Sequence, residues 1–331
     1  MKKIVFVFSI VLLTFFTACS NKEVYEPKLI KGEWEKYGDK EFMIVGLGSQ
    51  AALLEDKKVL TKDGVIDVKV AQKNRLVSQS DGWIITTKID GTLNLLNIED
   101  KEKKITFDLK KTIASVSVKE NILAVLFADS EMALYDLYTQ EVLLKEQGGK
   151  SLAVDARIAP PYFMDSLVLF PTLDGKVVII NSELKKKLRT IIVSTEDNFN
   201  NVIYLNVIDN KIIAATGTKI LSISEKEIRV KYEIRNILYD DKNLYIATKQ
   251  GEIISLTPSL QVNAKEKFPF AHFVSMISLD DTLYVLEKEG YIIAMDKKLS
   301  DYSVYEVDVE DGYIFIDDKT FYIADEYISV E

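Results

Sequence analysis

Residues 166–181 read Ser-Leu-Val-Leu-Phe-Pro-Thr-Leu-Asp-Gly-Lys-Val-Val-Ile-Ile-Asn. Two apolar runs of four to six residues flank a Leu-Asp-Gly turn, and the first is led in by Asp165. The runs are too short for helices and rich in β-branched residues, and Asp-Gly supplies the backbone freedom a tight reversal needs, so the segment predicts a β-hairpin. The same unit recurs. Hairpins of this kind are predicted at 41–55, 82–97, 121–136, 166–181, 210–224, 243–257, 282–296 and 320–331, the first being the weakest. Aligned on their turns at Ser49, Gly91, Ser130, Gly175, Thr218, Gly251, Gly290 and Asp325, they repeat every 39 residues on average. A period near 40 with three or four strands per unit is the pattern of a β-propeller, in which each small sheet buries both faces against its neighbours around an axis.

Eight such units account for nearly all of the chain beyond residue 40, and almost nothing else reads as helix. The expected architecture is therefore all-β: an eight-bladed propeller forming a single domain over residues 41–331. The last hairpin reaches Glu331 directly after its second strand, so its outermost strand is expected from elsewhere, and residues 28–34 are the candidate that would latch the ring. Acidic residues stand before most hairpins, at Asp81, Glu120, Asp165, Asp209, Asp240-Asp241, Asp280-Asp281 and Asp317-Asp318. Their recurrence at one place in the unit points to Asp capping the preceding strand-to-strand turn through its own side chain rather than to paired catalytic carboxylates or calcium.

Composition narrows the chemistry. The 331 residues are 47% apolar and 28% charged, with a single Cys and a single His. That excludes a disulfide framework, a Cys-based zinc site and any multi-histidine metal centre. The formal charge of −9 argues against tracking a phosphate backbone, and no nucleic acid is expected as a partner. Gly46-Leu-Gly48-Ser-Gln-Ala51 imitates a dinucleotide fingerprint, but it lies in a hairpin with no following helix or βαβ crossover. His272, between Ala271 and Phe273, reads as a packed or hydrogen-bonded strand residue rather than a member of a nucleophilic triad. Lys101, Lys103 and Lys104, and Lys185 to Lys187, read as solvated edges that discourage sheet aggregation, with a weak acidic or lipid-headgroup contact as the alternative.

The first residues carry an address. Lys2 and Lys3 precede an apolar run over 4–16, followed by Thr17, Ala18 and Cys19. The run is too short for a permanent bilayer span and has the order of a signal peptide over 1–18. Phe16-Thr17-Ala18-Cys19 resembles the lipobox of bacterial lipoproteins, which implies acylation at Cys19; an ordinary secretory signal with a chance Cys is the alternative. By the same resemblance, Ser20 in place of Asp implies the outer membrane. Residues 19–40 then read as a lipidated tether containing the closing strand.

Ala133-Leu-Tyr-Asp136-Leu-Tyr-Thr139 and the sequence from Ala159-Pro160-Pro161-Tyr162 into the 166–181 hairpin resemble the repeat of quinoprotein-type, or PQQ-like, propellers. Gln140 and Leu144 replace the Gly and Trp of that repeat, and Trp34 and Trp83 are too few for a tryptophan docking ring. With only one Cys as well, no quinone cofactor is expected. An acylated propeller of this length resembles the BamB family of outer-membrane assembly lipoproteins. Ser151-Leu152-Ala153-Val154-Asp155-Ala156 is similar to the family segment that docks BamA, with Leu152 and Val154 at its two apolar positions. Asp155 stands where that family has Arg, and Arg157 lies two residues on; buried strand positions for Leu152 and Val154 are the other reading. The resemblance implies a noncatalytic scaffold at the periplasmic side of the outer membrane, a monomeric propeller that binds the periplasmic domain of a BamA-like barrel-assembly protein. A periplasmic or surface lipoprotein that binds another protein or a glycan is the alternative.

Overall fold

The computed structural model describes residues 23–331, and among these every regular element is a β-strand. Eight sheets follow one another along the chain, each with four antiparallel strands, and one of them gains a fifth. We number them blades one to eight from Ile44–Gly48, the innermost strand of blade one. Neighbouring blades meet through apolar clusters, one for each of the eight junctions. Leu93, Phe107, Val116 and Phe127 fill the junction of blades two and three. Ile44, Leu60 and Phe315 join blade eight back to blade one. Central strands such as Trp83–Thr87 and Leu244–Thr248 are buried along their whole length, because each face of the sheet packs against a neighbouring blade. The expected eight-bladed propeller is thus the observed fold.

The closing strand is N-terminal, as expected, but not where expected. Tyr37–Asp39 pairs antiparallel with Glu326–Ser329 and completes blade eight. Residues 28–34 instead add a strand to the preceding blade: Gly32–Glu33 runs parallel to Tyr302–Glu306 of blade seven. Lys31 N–H donates to the Val304 carbonyl at 2.8 Å and Trp34 N–H to that of Glu306 at 2.7 Å. A parallel addition needs no turn from the strand it joins, so the incoming chain can lie along blade seven before crossing to blade eight. Upstream, Tyr25 is buried edge-on against Phe268 and Tyr291.

The first predicted hairpin is also out of step with the others. Seven of the eight quoted hairpins join the second and third strands of a blade, whereas 41–55 spans the first and second strands of blade one, Ile44–Gly48 and Ala51–Leu54. The equivalent turn in blade one lies at residues 55–58, where the Asp56 carboxylate accepts the Lys58 N–H at 3.0 Å. The two strands that follow it have three residues each, too few to show an alternating pattern.

The acidic residues that precede the hairpins act mainly through the backbone. Asp81, Glu120, Asp165, Asp209, Asp241 and Asp280 all adopt left-handed φ between 46° and 69° in the turn between first and second strands. Asp and Asn tolerate that region better than most residues. Side-chain capping is found at Asp240 and Asp317, whose carboxylates accept the N–H groups of Asn243 and Lys319. The Asp81 carboxylate reaches across to Glu120 N–H of the next blade at 2.7 Å.

Candidate docking face and axial cavity

The turns between second and third strands share one face of the ring with the connections that lead from each blade to the next. They touch there: a Cβ on Gly91, where φ is +88°, would stand 2.4 Å from Lys111 N in the connection to blade three. Two of these connections are long, residues 148–161 before blade four and 193–203 before blade five, and they pack on each other. Phe199 N–H donates to the Ala153 carbonyl at 2.9 Å. Asn201, fully buried, accepts the Asp155 N–H at 2.6 Å and donates its amide to the Arg157 carbonyl at 2.7 Å.

Within this pair of loops Leu152 is 88% exposed, Phe199 60% and Val154 40%. Leu152 and Val154 lie outside any strand and face solvent, so the buried-strand reading of these two residues does not hold. Arg157 turns the other way, into a cavity at the axis, and Asp155 pairs with it. Arg157 forms an ion pair with Asp155, its Nε donating to Oδ1 at 2.9 Å, and its Nη1 donates to the Arg235 carbonyl at the start of blade six. Burial opposes charge on Asp155, but the Arg157 side chain and backbone N–H outweigh it and hold the carboxyl below its usual range. The four residues singled out from the sequence therefore divide: two are exposed apolar contacts, and two form a polar bracket that fixes the loop.

The bracket borders a cavity of about 670 Å³ at the axis, lined by residues from blades one to five. Arg75, at the start of the innermost strand of blade two, lines it and donates Nη2 to the Ile113 carbonyl of blade three at 2.8 Å. Tyr162, Tyr204, Asn206, Ser49 and Gln50 add polar groups. Ser115 also lines it; the residue is 5% exposed and its Oγ has no hydrogen-bond partner among the described residues. Beyond Arg157, Arg235 Nη1 lies 2.7 Å from His272 Nε2, while Arg235 Nε is buried and has no hydrogen-bond partner among the described residues. Burial, then repulsion from Arg157, lowers the Arg235 pKa. Because the guanidinium can only donate, the imidazole presents its lone pair at Nε2. His272 N–H donates to buried Glu287, and burial pushes that carboxyl above its usual range.

The other sequence candidates sit in structural roles. Gly46 and Gly48 belong to the strand Ile44–Gly48. Lys101 pairs with Asp67 and Lys187 with Glu146, both on exposed edges. Lys103 lies over the rings of Trp83 and Tyr138, 5.3 Å from each centroid. Cys19 and the signal segment 1–18 lie outside the described residues. Arg75, Arg235, Ser115 and Phe199 were not recognised from the sequence. For the arginines a signal exists: Arg75, Arg157 and Arg235 are 82 and 78 residues apart, close to twice the repeat, which places them in or just before blades two, four and six.

No protein-family model matches the chain. The plasminogen-binding protein PgbB of Helicobacter pylori strain J99 is 30% identical over 348 aligned positions, covering 91% of this chain and 64% of that protein. Its counterpart in strain 26695 is 29% identical over the same shares. The chain thus spans 64% of the length of the curated relatives it matches. Among solved structures, BamB from Moraxella catarrhalis superposes with a TM-score of 0.67 at 8% identity, covering 89% of this chain and 98% of that one. The C-terminal WD40 domain of Sif2 superposes almost as well, with a TM-score of 0.65 at 14% identity, covering 90% of this chain and 98% of that one. At such identities these likenesses speak to the propeller fold alone.

Proposed function

We propose that this chain is a noncatalytic, lipid-anchored propeller that binds a protein partner through the loop pair over blades four and five. The observation that carries this reading is the exposure of Leu152 and Phe199 on loops cross-braced by Asn201 and by the Asp155–Arg157 ion pair. Apolar anchors on a braced loop lose little conformational freedom on docking, so more of their burial appears as affinity. The plasminogen-binding relatives support a protein ligand, because they are similar along 91% of this chain. On that basis the partner is plasminogen or a protein that offers similar contacts, and the propeller is displayed on the cell surface.

A second reading has one observation in its favour. Leu152 and Val154 keep the apolar spacing of the BamA-docking segment in the BamB family, and both are exposed. On this reading the partner is the periplasmic domain of a BamA-like barrel-assembly protein, and the anchored propeller faces the periplasm. The solved BamB structure adds little, since a WD40 domain superposes nearly as well.

Photo-crosslinkers placed at Leu152 and Phe199 in living cells, with and without added plasminogen, separate the two. Adducts with plasminogen, together with removal of the protein by protease on intact cells, support the first reading. Adducts with a barrel-assembly protein and resistance to shaving support the second. Absence of any protein adduct from either position, with the probes incorporated and the chain folded, overturns both.

A further inference from the structure

The axis of the ring carries chemistry that protein docking does not use. The chain has a formal charge of −9, yet three arginines and its single histidine gather near one end of the axis. Arg75 and Arg157 line the 670 Å³ cavity, Arg157 reaches the carbonyl of Arg235, and Arg235 meets His272. Asp155 is engaged by Arg157, and Glu287 receives backbone N–H groups of His272 and Glu289 instead of pairing with a guanidinium. Arg75 bonds only a carbonyl, and neither it nor Arg235 forms an ion pair among the described residues. A guanidinium held by carbonyls and an imidazole keeps its full charge and a planar fork of donors suited to an oxyanion.

Ser115 borders the same space, but its Oγ is covered rather than open to it, so the polar lining comes from other residues. Tyr162, Tyr204 and Asn206 surround the same space with rings and polar tips, a lining that suits a body bearing hydroxyls rather than a bare ion.

We propose that the axial cavity is a binding site for a small organic anion, a carboxylate or phosphate on a hydroxylated body of about disaccharide size. Arg75 holds the anionic group, and the tyrosines and Asn206 take the body. The anion supplies the acceptor that the Arg75 fork lacks. This site does not use the exposed side chains of Leu152 and Phe199, so it stands or falls separately from the protein partner.

The test uses the full chain, with glucuronate and glucose 6-phosphate as anionic probes and glucose as the neutral control, read by titration calorimetry and by thermal shift. At least one anion is expected to bind, and to raise Tm by on the order of 5 °C when it is a hundredfold above its Kd, while glucose does neither. Glucuronate alone assigns a carboxylate ligand and glucose 6-phosphate alone a phosphate. Arg75→Gln should weaken binding tenfold or more, and Tyr162→Phe, which removes a hydroxyl from the lining and leaves the charges in place, several-fold. Lys186→Gln on the outer rim should change nothing. Failure of both anions to bind at tens of millimolar, affinity within twofold of the parent in both Arg75→Gln and Tyr162→Phe, or equal binding of glucose overturns the proposal.

Discussion

Trp34 is the pin of the ring's seam, and its replacement should open blade eight before any other. The indole Nε1–H donates to the Ser329 carbonyl at 2.8 Å, and the ring meets Tyr305 and Tyr284 edge-on, with centroids 5.1 and 5.9 Å away. It also packs against the cluster of Ile328, Phe321 and Leu286 at the junction of blades seven and eight. The hydrogen bond contributes about 1 kcal/mol. Each edge-to-face pair adds about 0.5–1.5 kcal/mol, and the partly buried ring adds about 1–2 kcal/mol from apolar area. Trp34→Ala should therefore cost about 3–6 kcal/mol, and Trp34→Phe, which keeps a ring but loses the donor, about 1–2 kcal/mol. The loss falls on a local opening, because Ser329 N–H is bonded to the Lys36 carbonyl in the very strand that Trp34 anchors. In native-state hydrogen exchange, the Ser329 amide should exchange about a hundredfold faster or more in Trp34→Ala, while amides of the blade-four strand Lys176–Asn181 keep their protection. Equal acceleration in all eight blades, or none at Ser329, would refute the idea that this residue holds the seam.

Other perturbations have equally definite outcomes. Gly91→Ala should destabilise by more than about 2 kcal/mol, since its Cβ would strike the backbone at Lys111 as well as needing a left-handed φ. Gly82→Ala, with φ +74° and open space around it, should cost only about 1–2 kcal/mol in the same thermal unfolding experiment. Thr248→Val removes the hydroxyl that accepts the Glu252 N–H at 3.1 Å and should cost about 1 kcal/mol. Glu287 supplies a pH signature. Folding raises its pKa, chiefly by burial, so the folded state holds the proton longer than the unfolded one. Its contribution to stability is therefore full below the unfolded carboxyl value of about 4.3 and declines as pH rises from there through the folded pKa. Denaturant midpoints measured from about pH 4 to 7 should show that decline in the parent and a flatter difference in Glu287→Gln. Asp129, Asp136 and Asp296 shift the opposite way and cancel in the comparison.

The sequence made the ring legible because each blade spells its central hairpin in residues buried on both faces, as at Val168, Phe170, Val177 and Ile180. Short outer strands left weaker marks. Tyr37–Asp39 has three residues and an alternation too brief to detect, so residues 28–34, with Trp34 and more apolar content, drew the expectation toward themselves. Blade one was misaligned for the same reason: the Ser49-Gln50 turn lies between readable runs, while the Asp56 turn leads into strands of three residues. At the candidate site, Leu152 and Val154 were visible as an apolar pair, but whether they face in or out depends on residues 193–203 packing against their loop from the next connection. Neither local pattern nor spacing reveals Asn201 as the brace. The axial arginines were hidden by distance along the chain, since an alternate-blade arrangement shows only once the blade register is known.

Stitching the first segment into the last blade has a consequence for biogenesis. A polypeptide that emerges N-terminus first presents Tyr37–Asp39 before any blade, but Glu326–Ser329, its partner, only after the other strands of all eight. The circle can be completed only by a contact that spans every blade, the kind of pairing whose loop entropy makes it slow. Until then the nascent wheel has two raw ends, Ile44–Gly48 at one and whichever blade has just formed at the other, both ready to pair with a neighbour's. Overproduction should therefore yield domain-exchanged oligomers, in which one molecule's opening segment finishes another's final blade.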